Sequence, residues 1–485
     1  MTPAPDPLLE RIRQDPEAVA VRARSATWTR AQLLEAADGL AVALHGEGLG
    51  AGSRVACLLD EDAPAVALIH ATRRLGAIHI PLNRRASIPE LHDQLVASGA
   101  DGLLYDKANL AKARAAAKDD VAALRAEALL AGVACAVPPP LRDRVDLEAP
   151  ATVVFTSGTT GRPKGVVLSH DNHRASAHAW AGLLRPQPGD RWLLCVPLFH
   201  VAGLSIVTRA TRWGAALDLH PRFEPAAISA ALDDGVTHLS LVATQLADLL
   251  AERDGRAPPA TLRAVLLGGG PIPADLLRRS REAGYPVLTT YGLTETGSGV
   301  ASGGRDRATL DDPTAVRALP GVELRAAPDG EILVRGEMVF AGYLGDEAAT
   351  ARALPGDGWL HTGDHGSLDE DGLLRVSARR DELIISGGEN IAPAEVEAVL
   401  GAHPDVAEAA VVGVPDERWG AVPQAYIVPA AGADPDPLEL ERFCRERLAG
   451  YKVPVAFIRL DALPRNAMGK VARAELAAAA EGTRS

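Results

Sequence analysis

The segment Thr156–Gly165 (TSGTTGRPKG) places hydroxyl side chains, glycines and a lysine directly after a strand-like run. Glycines let backbone N–H groups approach a ligand closely, and N–H groups together with hydroxyls can surround phosphate oxygens. Lys164 adds a positive charge. The order differs from the P-loop pattern, because Lys164 follows Arg-Pro and is followed by glycine rather than serine or threonine. The segment therefore predicts a phosphate-binding loop of another kind of nucleotide site.

Together with later motifs, this segment resembles the adenylate-forming superfamily of acyl-CoA synthetases, firefly luciferase and peptide-synthetase adenylation domains. The motifs follow in that family's order: GGGP at 268–271, YGLTET at 291–296, WLHTGD at 359–364 and PRNAMGK at 464–470. The resemblance covers nearly the whole chain. It implies an AMP-forming acid–thiol ligase that uses ATP, Mg²⁺ and CoA and has no prosthetic group.

The resemblance also assigns the ATP site. Tyr291 would stack on adenine, and Asp364 with Arg379 would bind the ribose. Glu295 would hold Mg²⁺, a hard cation that prefers carboxylate and phosphate oxygens. Lys164 would act among the catalytic residues. The ATP-binding residues implied are Thr156, Ser157, Gly158, Thr159, Thr160, Gly268, Gly269, Gly270, Tyr291, Gly292, Thr294, Asp364 and Arg379.

The C-terminal motifs imply two half-reactions. Lys470 would bridge the carboxylate and the α-phosphate, where a cation offsets the approach of two anions. Asp381 falls on the family's hinge position, about which a small domain would rotate between the half-reactions. Gly387, Gly388 and Glu389 would then face CoA while its thiolate attacks the acyl-AMP.

The acid is predicted from Val196–Arg209 (VPLFHVAGLSIVTR). By the resemblance, His200 would gate the acyl pocket and act in catalysis. PLFHVAGLSI, LLGGGPIP, LIISGGENIAPAEVE and LPRNAMGK look like the 2-succinylbenzoate–CoA ligases of menaquinone biosynthesis. That acid has a second carboxylate, for which Ser205 and Arg209 are the candidate partners. The alternatives are a fatty, aryl or malonyl-type acid and, from another class, a non-catalytic nucleotide-binding scaffold.

Alternating strand and helix patterns must position these residues. Arg54–Leu59 and Ala77–Pro81 are strand-like, and Ala63–Leu75 between them is helical. Strands separated by helices predict parallel, helix-covered sheets. Val153–Phe155 is a further strand that leads into the phosphate loop, and the Ala-rich residues 107–135 are predicted to form surface helix.

The fold class predicted is α/β, with two domains. Residues 1–380 would form a large N-terminal domain for ATP and the acyl substrate, and residues 381–485 a small mobile α+β domain with the catalytic lysine. The elements predicted in the small domain are a strand at Leu383–Ile385, a helix at Pro393–His403, a strand at Val406–Val414 and a helix at Leu438–Leu448.

Composition narrows the class of protein. The 485 residues are 47% apolar, enough for a large core. The net charge of -13 argues against a duplex nucleic-acid binder. The four scattered cysteines form no CxxC pair, and no signal peptide or bilayer-spanning stretch is evident. We therefore expect a cytoplasmic enzyme whose partners are a small-molecule carboxylate, ATP and CoA, without nucleic acid or membrane insertion, and a homodimer is also an expectation.

Overall fold

The computed structural model describes residues 3–24, 26–118, 121–130, 139–156, 163–269, 272, 274–312, 315–379, 384–391, 393–464, 471 and 473–482. Among these residues, no helix has both the length and the apolar character needed to cross a membrane. The described strands form three large sheets and one short two-stranded ladder.

The described secondary structure alternates strands and helices along much of the chain. In chain order the strands are β1 (Ala4–Pro5), β2 (Val19–Arg22), β3 (Thr27–Thr29), β4 (Arg54–Leu58), β5 (Ile78–Pro81), β6 (Gly102–Tyr105), β7 (Ala122–Arg125), β8 (Arg144–Val145), β9 (Pro150–Thr156), β10 (Lys164–Ser169), β11 (Arg191–Leu194), β12 (Ala216–Leu219), β13 (His238–Leu241), β14 (Ala264–Leu267), β15 (Val287–Leu293), β16 (Ser298–Gly303), β17 (Ala315–Ala318), β18 (Glu323–Ala326), β19 (Glu331–Arg335), β20 (Gly342–Tyr343), β21 (Leu360–Leu368), β22 (Leu373–Arg379), β23 (Ile384–Ser386), β24 (Glu389–Ile391), β25 (Val406–Asp416), β26 (Gly420–Pro429) and β27 (Phe457–Arg459). The helices are α1 (Pro7–Gln14), α2 (Arg30–Gly46), α3 (Ala63–Leu75), α4 (Ile88–Ser98), α5 (Leu110–Ala117), α6 (Ala126–Leu130), α7 (His170–Leu184), α8 (Val201–Trp213), α9 (Pro225–Asp233), α10 (Ala243–Arg253), α11 (Ala274–Glu282), α12 (Arg307–Asp311), α13 (Glu347–Ala353), α14 (Pro393–Gly401), α15 (Pro437–Arg445) and α16 (Arg473–Gly482).

The first sheet has seven strands in the order β20-β10-β9-β5-β4-β6-β7. The strands from β9 to β7 in this order run parallel, whereas β10 is antiparallel to both of its neighbours. Helices α3, α4 and α5 connect successive parallel strands. The loop after β9 and the loop after β5 therefore leave the sheet at the same end.

The second sheet has thirteen strands in the order β18-β19-β21-β22-β17-β16-β15-β14-β13-β11-β12-β2-β3. The run from β15 to β2 is parallel, and the remaining pairings are antiparallel. Ligands of open α/β sheets bind outside the carboxyl ends of parallel strands. The segments that follow β11, β13 and β14 are therefore placed to build a site.

The third sheet has the order β24-β23-β26-β25, with β27 pairing beside β26. Its buried apolar side chains form two clusters whose members all lie at Ile384 or beyond. Helices α14, α15 and α16 accompany this sheet in the chain. The C-terminal residues thus have a core of their own, as a separate domain requires.

Two helices that position site residues begin with clear local signals. At the start of α4, the Ser87 hydroxyl accepts from Glu90 N, and Glu90 Oε2 accepts from Ser87 N at 2.7 Å, a capping box. Helix α8 begins after His200 and ends at Gly214, whose φ of 75° closes the last turn. Residues four apart lie on one face of a helix, so Ser205 and Arg209 point the same way.

The structure confirms most of the predicted elements and corrects one. Residues 107–135 are not simply surface helix, because β7 lies between α5 and α6 and pairs in parallel with β6. Pairing with a neighbouring strand outweighs the weak strand propensity of alanine. The predicted α/β class with a separate C-terminal domain is confirmed. Residues 380–383 are outside the described part of the chain, so the boundary at 380/381 stays a prediction.

Candidate active site

A cavity of about 1260 Å³ opens at the carboxyl ends of β11, β13 and β14 and is bounded on another side by the C-terminal sheet. The predicted residues on its wall are Thr156, Lys164, His200, Ser205, Arg209, Gly268, Gly269, Gly292, Thr294, Glu295, Asp364, Gly387, Gly388 and Glu389. The predicted residues outside the described part of the chain are Ser157, Gly158, Thr159, Thr160, Gly270, Asp381 and Lys470. Motifs more than two hundred residues apart in sequence thus meet at one cavity.

The two ends of the predicted phosphate loop are fixed by a strand pair. Thr156 ends β9 and Lys164 begins β10, and the two residues are partners in the antiparallel register. The Lys164 ammonium lies 5.4 Å from the centre of the Tyr343 ring, a distance at which a cation interacts with an aromatic face. The lysine is therefore held at the cavity wall beside the loop that it follows.

Glu295 presents a carboxylate to the cavity. Its Oε1 accepts a hydrogen bond of 2.7 Å from the Tyr343 hydroxyl, and its backbone oxygen accepts one of 2.8 Å from Phe340 N. Burial and the Glu295 charge raise the pKa of Tyr343, so the phenol remains a donor. Mg²⁺ is commonly bound by one or two carboxylates together with substrate phosphates. An oriented carboxylate beside the predicted phosphate loop fits that mode.

Asp364 is the buried acid of the predicted ribose site. It is 3% exposed, and its Oδ2 accepts a hydrogen bond of 3.0 Å from the Tyr291 hydroxyl. Arg379 is its partner in the β21–β22 register. The Tyr291 hydroxyl orients the aspartate, a contact that the motifs do not predict.

Helix α8 forms the inner end of the cavity. Arg209 Nη2 donates to Ser298 Oγ at 3.0 Å, and Ser205 Oγ lies 3.3 Å from the same atom. Ser298 has φ of 129°, a conformation that residues other than glycine rarely adopt and that is often found at functional sites. Three polar side chains thus converge on one point of the acyl end.

Arg209 is a buried cation with no carboxylate against it in the described structure. The residue is 2% exposed, and its Nε has no hydrogen-bond partner among the described residues. Burial lowers the pKa of Arg209 to about 9, which leaves the guanidinium charged at neutral pH. A buried charge without a counter-ion is costly, so an anionic ligand would add stabilisation at this end of the site.

His200 and Glu389 close the cavity between the two domains. His200 Nε2 and Glu389 Oε2 are 2.9 Å apart, and Arg85 forms an ion pair with the other carboxylate oxygen. Burial and the nearby Arg85 charge lower the pKa of His200 to about 4, so the imidazole is neutral at pH 7. A neutral imidazole donates from one nitrogen, which matches a contact with a carboxylate.

Of the predicted CoA-facing glycines, Gly388 lies directly against the N-terminal domain. Gly388 has φ of 86°, and a Cβ atom at this position would lie 2.5 Å from Val242 Cγ1. The segment after β23 therefore passes the wall of the cavity without a side chain. A larger residue at 388 would force the two domains apart.

The C-terminal domain also docks through a buried charge cluster. Lys452 Nζ lies 2.6 Å from Glu90 Oε1 of α4 and 2.6 Å from Glu395 Oε1 of α14. The three side chains are 10%, 11% and 16% exposed. Burial, with the nearby Glu90 charge, raises the pKa of Glu395 to about 7. One ammonium therefore joins carboxylates of both domains.

Sequence reasoning missed several of these residues. Ser298 follows the YGLTET motif without a motif of its own, and Arg85 and Glu90 lie far from their partners in the chain. Arg209 and Ser298 are separated by 89 positions, and Lys452 and Glu90 by 362. Local patterns contain no signal for such pairs.

Comparisons with known proteins agree with the motif order. The family description "AMP-binding enzyme" matches residues 8–344, and "AMP-binding enzyme C-terminal domain" matches residues 395–470. A 2-succinylbenzoate–CoA ligase of Geobacillus kaustophilus is 43% identical over 489 residues, covering 98% of each chain. The resemblance to the adenylate-forming enzymes is thereby confirmed.

Solved structures of one relative differ in their similarity to this chain. A double mutant of o-succinylbenzoate CoA synthetase from Bacillus subtilis, bound with its product analogue OSB-NCoA, has a TM-score of 0.93 at 38% identity and 98% coverage of both chains. The same enzyme in complex with ATP and magnesium ion has a TM-score of 0.75 at 38% identity, covering 98% of this chain and 100% of that one. The two TM-scores thus differ although the sequence identities are equal.

The two family matches together cover most of the chain, and the curated relative has nearly the same length. One family accounts for the order of the motifs, for the cavity that their residues line and for these matches. The chain belongs to the AMP-binding enzyme family.

Proposed function

We propose that the chain is an AMP-forming ligase that joins 2-succinylbenzoate to CoA. In the first half-reaction, a carboxylate oxygen attacks the α-phosphorus of ATP, the bond to pyrophosphate breaks, and acyl-AMP forms. In the second, the CoA thiolate attacks the acyl carbon and AMP leaves, while the thiol proton passes to solvent. The observation that favours this acid is the buried Arg209 at the inner end of the cavity.

The acid must have a negative charge remote from the reacting carboxylate. Arg209 has no carboxylate partner in the described structure, so a simple fatty acid would leave its charge buried without a counter-ion. The second carboxylate of 2-succinylbenzoate supplies the counter-ion, and Ser205 and Ser298 offer hydroxyls beside it. The Geobacillus and Bacillus relatives named above support the same choice.

The proposed ATP site is formed by residues on the part of the cavity wall away from Arg209. The loop from Thr156 and the Lys164 ammonium hold phosphate oxygens, and Asp364 binds the ribose hydroxyls with Arg379. A magnesium ion held by Glu295 would neutralise phosphate charge during displacement. Catalysis in this half-reaction is mainly positioning and charge stabilisation. The remaining assignments of this proposal are Ser157, Gly158, Thr159, Thr160, Gly268, Gly269, Gly270, Tyr291, Gly292 and Thr294.

The two half-reactions use two arrangements of the C-terminal domain. In adenylation, Lys470 bridges the carboxylate and the α-phosphate. Rotation about Asp381 then brings Gly387, Gly388 and Glu389 to the cavity, where the described structure has them. The higher TM-score against the relative bound with OSB-NCoA supports the view that this is the thioester-forming arrangement.

His200 links the acyl pocket to the arriving segment. Its hydrogen bond to Glu389 exists only when the C-terminal domain is docked, because the two residues belong to different domains. We assign His200 the role of a gate between the acyl pocket and the path of the CoA thiol. A homodimer and a cytoplasmic location are further parts of this proposal, and both rest on the sequence alone.

The test is a carboxylate panel with ATP, Mg²⁺ and CoA, in which AMP release and thioester mass are both measured. We expect 2-succinylbenzoate to be turned over well, and simple fatty, aryl and malonyl-type acids poorly. Arg209→Gln should raise the KM for 2-succinylbenzoate, while Arg442→Gln, an exposed arginine of the C-terminal domain, serves as the control. Efficient turnover of a simple monoacid with none of 2-succinylbenzoate would overturn the assignment.

A further inference from the structure

The Arg209 guanidinium lies between two tryptophan rings. Its Cζ atom is 4.8 Å from the centre of the Trp180 ring and 5.7 Å from that of Trp192. A guanidinium within about 6 Å of an indole face is attracted by the negative charge of that face, and desolvation strengthens the attraction. Both tryptophans are almost fully buried, so this attraction acts out of reach of solvent.

The two rings are themselves held in place. Trp180 Nε1 donates to Gly299 O at 3.1 Å, next to Ser298. A Cβ atom at Gly299 would lie 2.7 Å from the Trp180 ring, so the close approach depends on glycine. Trp192 belongs to β11 and stacks on His238, with ring centres 5.2 Å apart. The rings and the serine that contact Arg209 are thus parts of one rigid assembly.

This arrangement differs from an ordinary buried salt bridge. A carboxylate partner would stabilise the guanidinium but would also neutralise it and compete with any anionic ligand. Aromatic faces stabilise the cation without supplying a negative ion, and they leave the edge of the guanidinium plane, where its donors lie, to other partners. One of these donors reaches Ser298 Oγ.

We propose that Trp180 and Trp192 are positioning residues: they form an aromatic clamp that holds the charged Arg209 side chain in one orientation so that a second carboxylate of the substrate becomes its counter-ion. The inference rests on the proposed function, since it concerns how that acid is distinguished from monoacids. The clamp acts through Arg209 and not on the reacting atoms. It should therefore affect substrate binding more than the chemical step.

The experiment compares kcat/KM for 2-succinylbenzoate with kcat/KM for two analogues, each lacking one of the two carboxylates. The analogue that is turned over serves as the monoacid, and the ratio of the two values measures recognition of the second carboxylate. Trp180→Leu and Trp192→Leu are expected to lower this ratio roughly tenfold, mainly through the KM for the diacid. The phenylalanine variants should lie between leucine and wild type, because phenylalanine is a weaker partner for a cation.

Trp213→Leu is the matched control. Trp213 belongs to the same aromatic cluster, with its ring centre 5.5 Å from that of Trp192, but it is not among the rings stacked on Arg209 in the described structure. In the Trp213 variant, the ratio of kcat/KM for the diacid to kcat/KM for the monoacid should equal that of wild type. Thermal unfolding of each variant identifies folded protein, and where a leucine variant does not fold, its phenylalanine counterpart is expected to lower the ratio about threefold.

The outcomes separate the clamp from the proposed function. A wild-type enzyme with no preference for the diacid would refute the proposed function. A wild-type preference that persists unchanged in the folded variants at both positions would refute the clamp alone. An equal loss in the Trp213 variant would show a general packing effect and would also overturn the clamp.

Discussion

Replacing Lys452 by methionine should slow thioester formation and spare adenylation. Lys452 contacts carboxylates of both domains at 2.6 Å, and all three side chains are largely buried. Methionine keeps most of the volume and removes the charge, so two carboxylates would face each other in the docked arrangement. In the adenylation arrangement proposed above, the C-terminal domain would leave Glu90 exposed to water.

The size of the effect follows from these contacts. Removing one partner of a buried ion pair costs ~3–5 kcal/mol. The Lys452 charge lowers the pKa of Glu395, which is about 7 in the intact cluster, so its removal raises that pKa further and protonation of Glu395 relieves part of the cost. We therefore expect docking to weaken by about 3 kcal/mol near pH 8, which corresponds to roughly a hundredfold lower docked population.

The assay measures the two half-reactions separately. Pyrophosphate release reports adenylation, and single-turnover thioester formation from supplied acyl-AMP reports the docked arrangement. Arg445→Met, which removes an exposed cation paired with Glu441 in the same domain, is the control. The double variant that combines Lys452→Met with Glu90→Gln should recover part of the lost rate of thioester formation, because it removes the Glu90 carboxylate that has lost its cation partner. Thioester formation within threefold of wild type, or equal slowing of both steps, would refute the reasoning.

Three further predictions concern the same two arrangements. Lys470→Ala should abolish acyl-AMP formation and leave thioester formation from supplied acyl-AMP largely intact; an equal loss of both would contradict separate arrangements. Gly388→Leu should block thioester formation and leave acyl-AMP formation largely intact, because a side chain at this position meets Val242. Normal thioester formation in that variant would count against the docked geometry. Burial in the docked cluster raises the pKa of Glu395 from its ordinary value of 4.5 to about 7, so docking should weaken as pH rises from about 4.5 to 7. Fluorescence energy transfer between the domains should show this dependence in the wild type and lose it in Glu395→Gln.

The sequence predicts the parts of the site that are built from contiguous motifs. The ten residues from Thr156 to Gly165 predict a phosphate loop because hydroxyls, glycines and a lysine occur together in a short stretch. Ser205 and Arg209 are predicted because they lie in the stretch that resembles an acyl-pocket segment, and a second carboxylate needs a hydroxyl donor or a cation. The strand β7 was missed because its residues have helical propensity and pair only through the sheet.

The remaining site residues depend on tertiary structure. Ser298 reaches Arg209 only through the fold of the thirteen-stranded sheet, and its unusual φ is a property of the chain path. Trp180 and Trp192 look like ordinary core residues in the sequence, since large buried aromatics usually are. Only the position of Arg209 between their rings gives them a different meaning.

Two segments of the site follow neighbouring strands of the first sheet, and this has a thermodynamic consequence. The segment that receives the C-terminal domain, Asn83–Glu90, follows β5, and the loop that begins after Thr156 follows β9; these strands are parallel neighbours. If the loop after Thr156 holds phosphate as proposed, pyrophosphate and the docked domain act on adjacent parts of one scaffold. Linkage is reciprocal, so any factor by which bound pyrophosphate weakens docking is the factor by which docking weakens pyrophosphate binding. The same coupling free energy would then govern both the release of pyrophosphate and the docking that prepares the site for CoA.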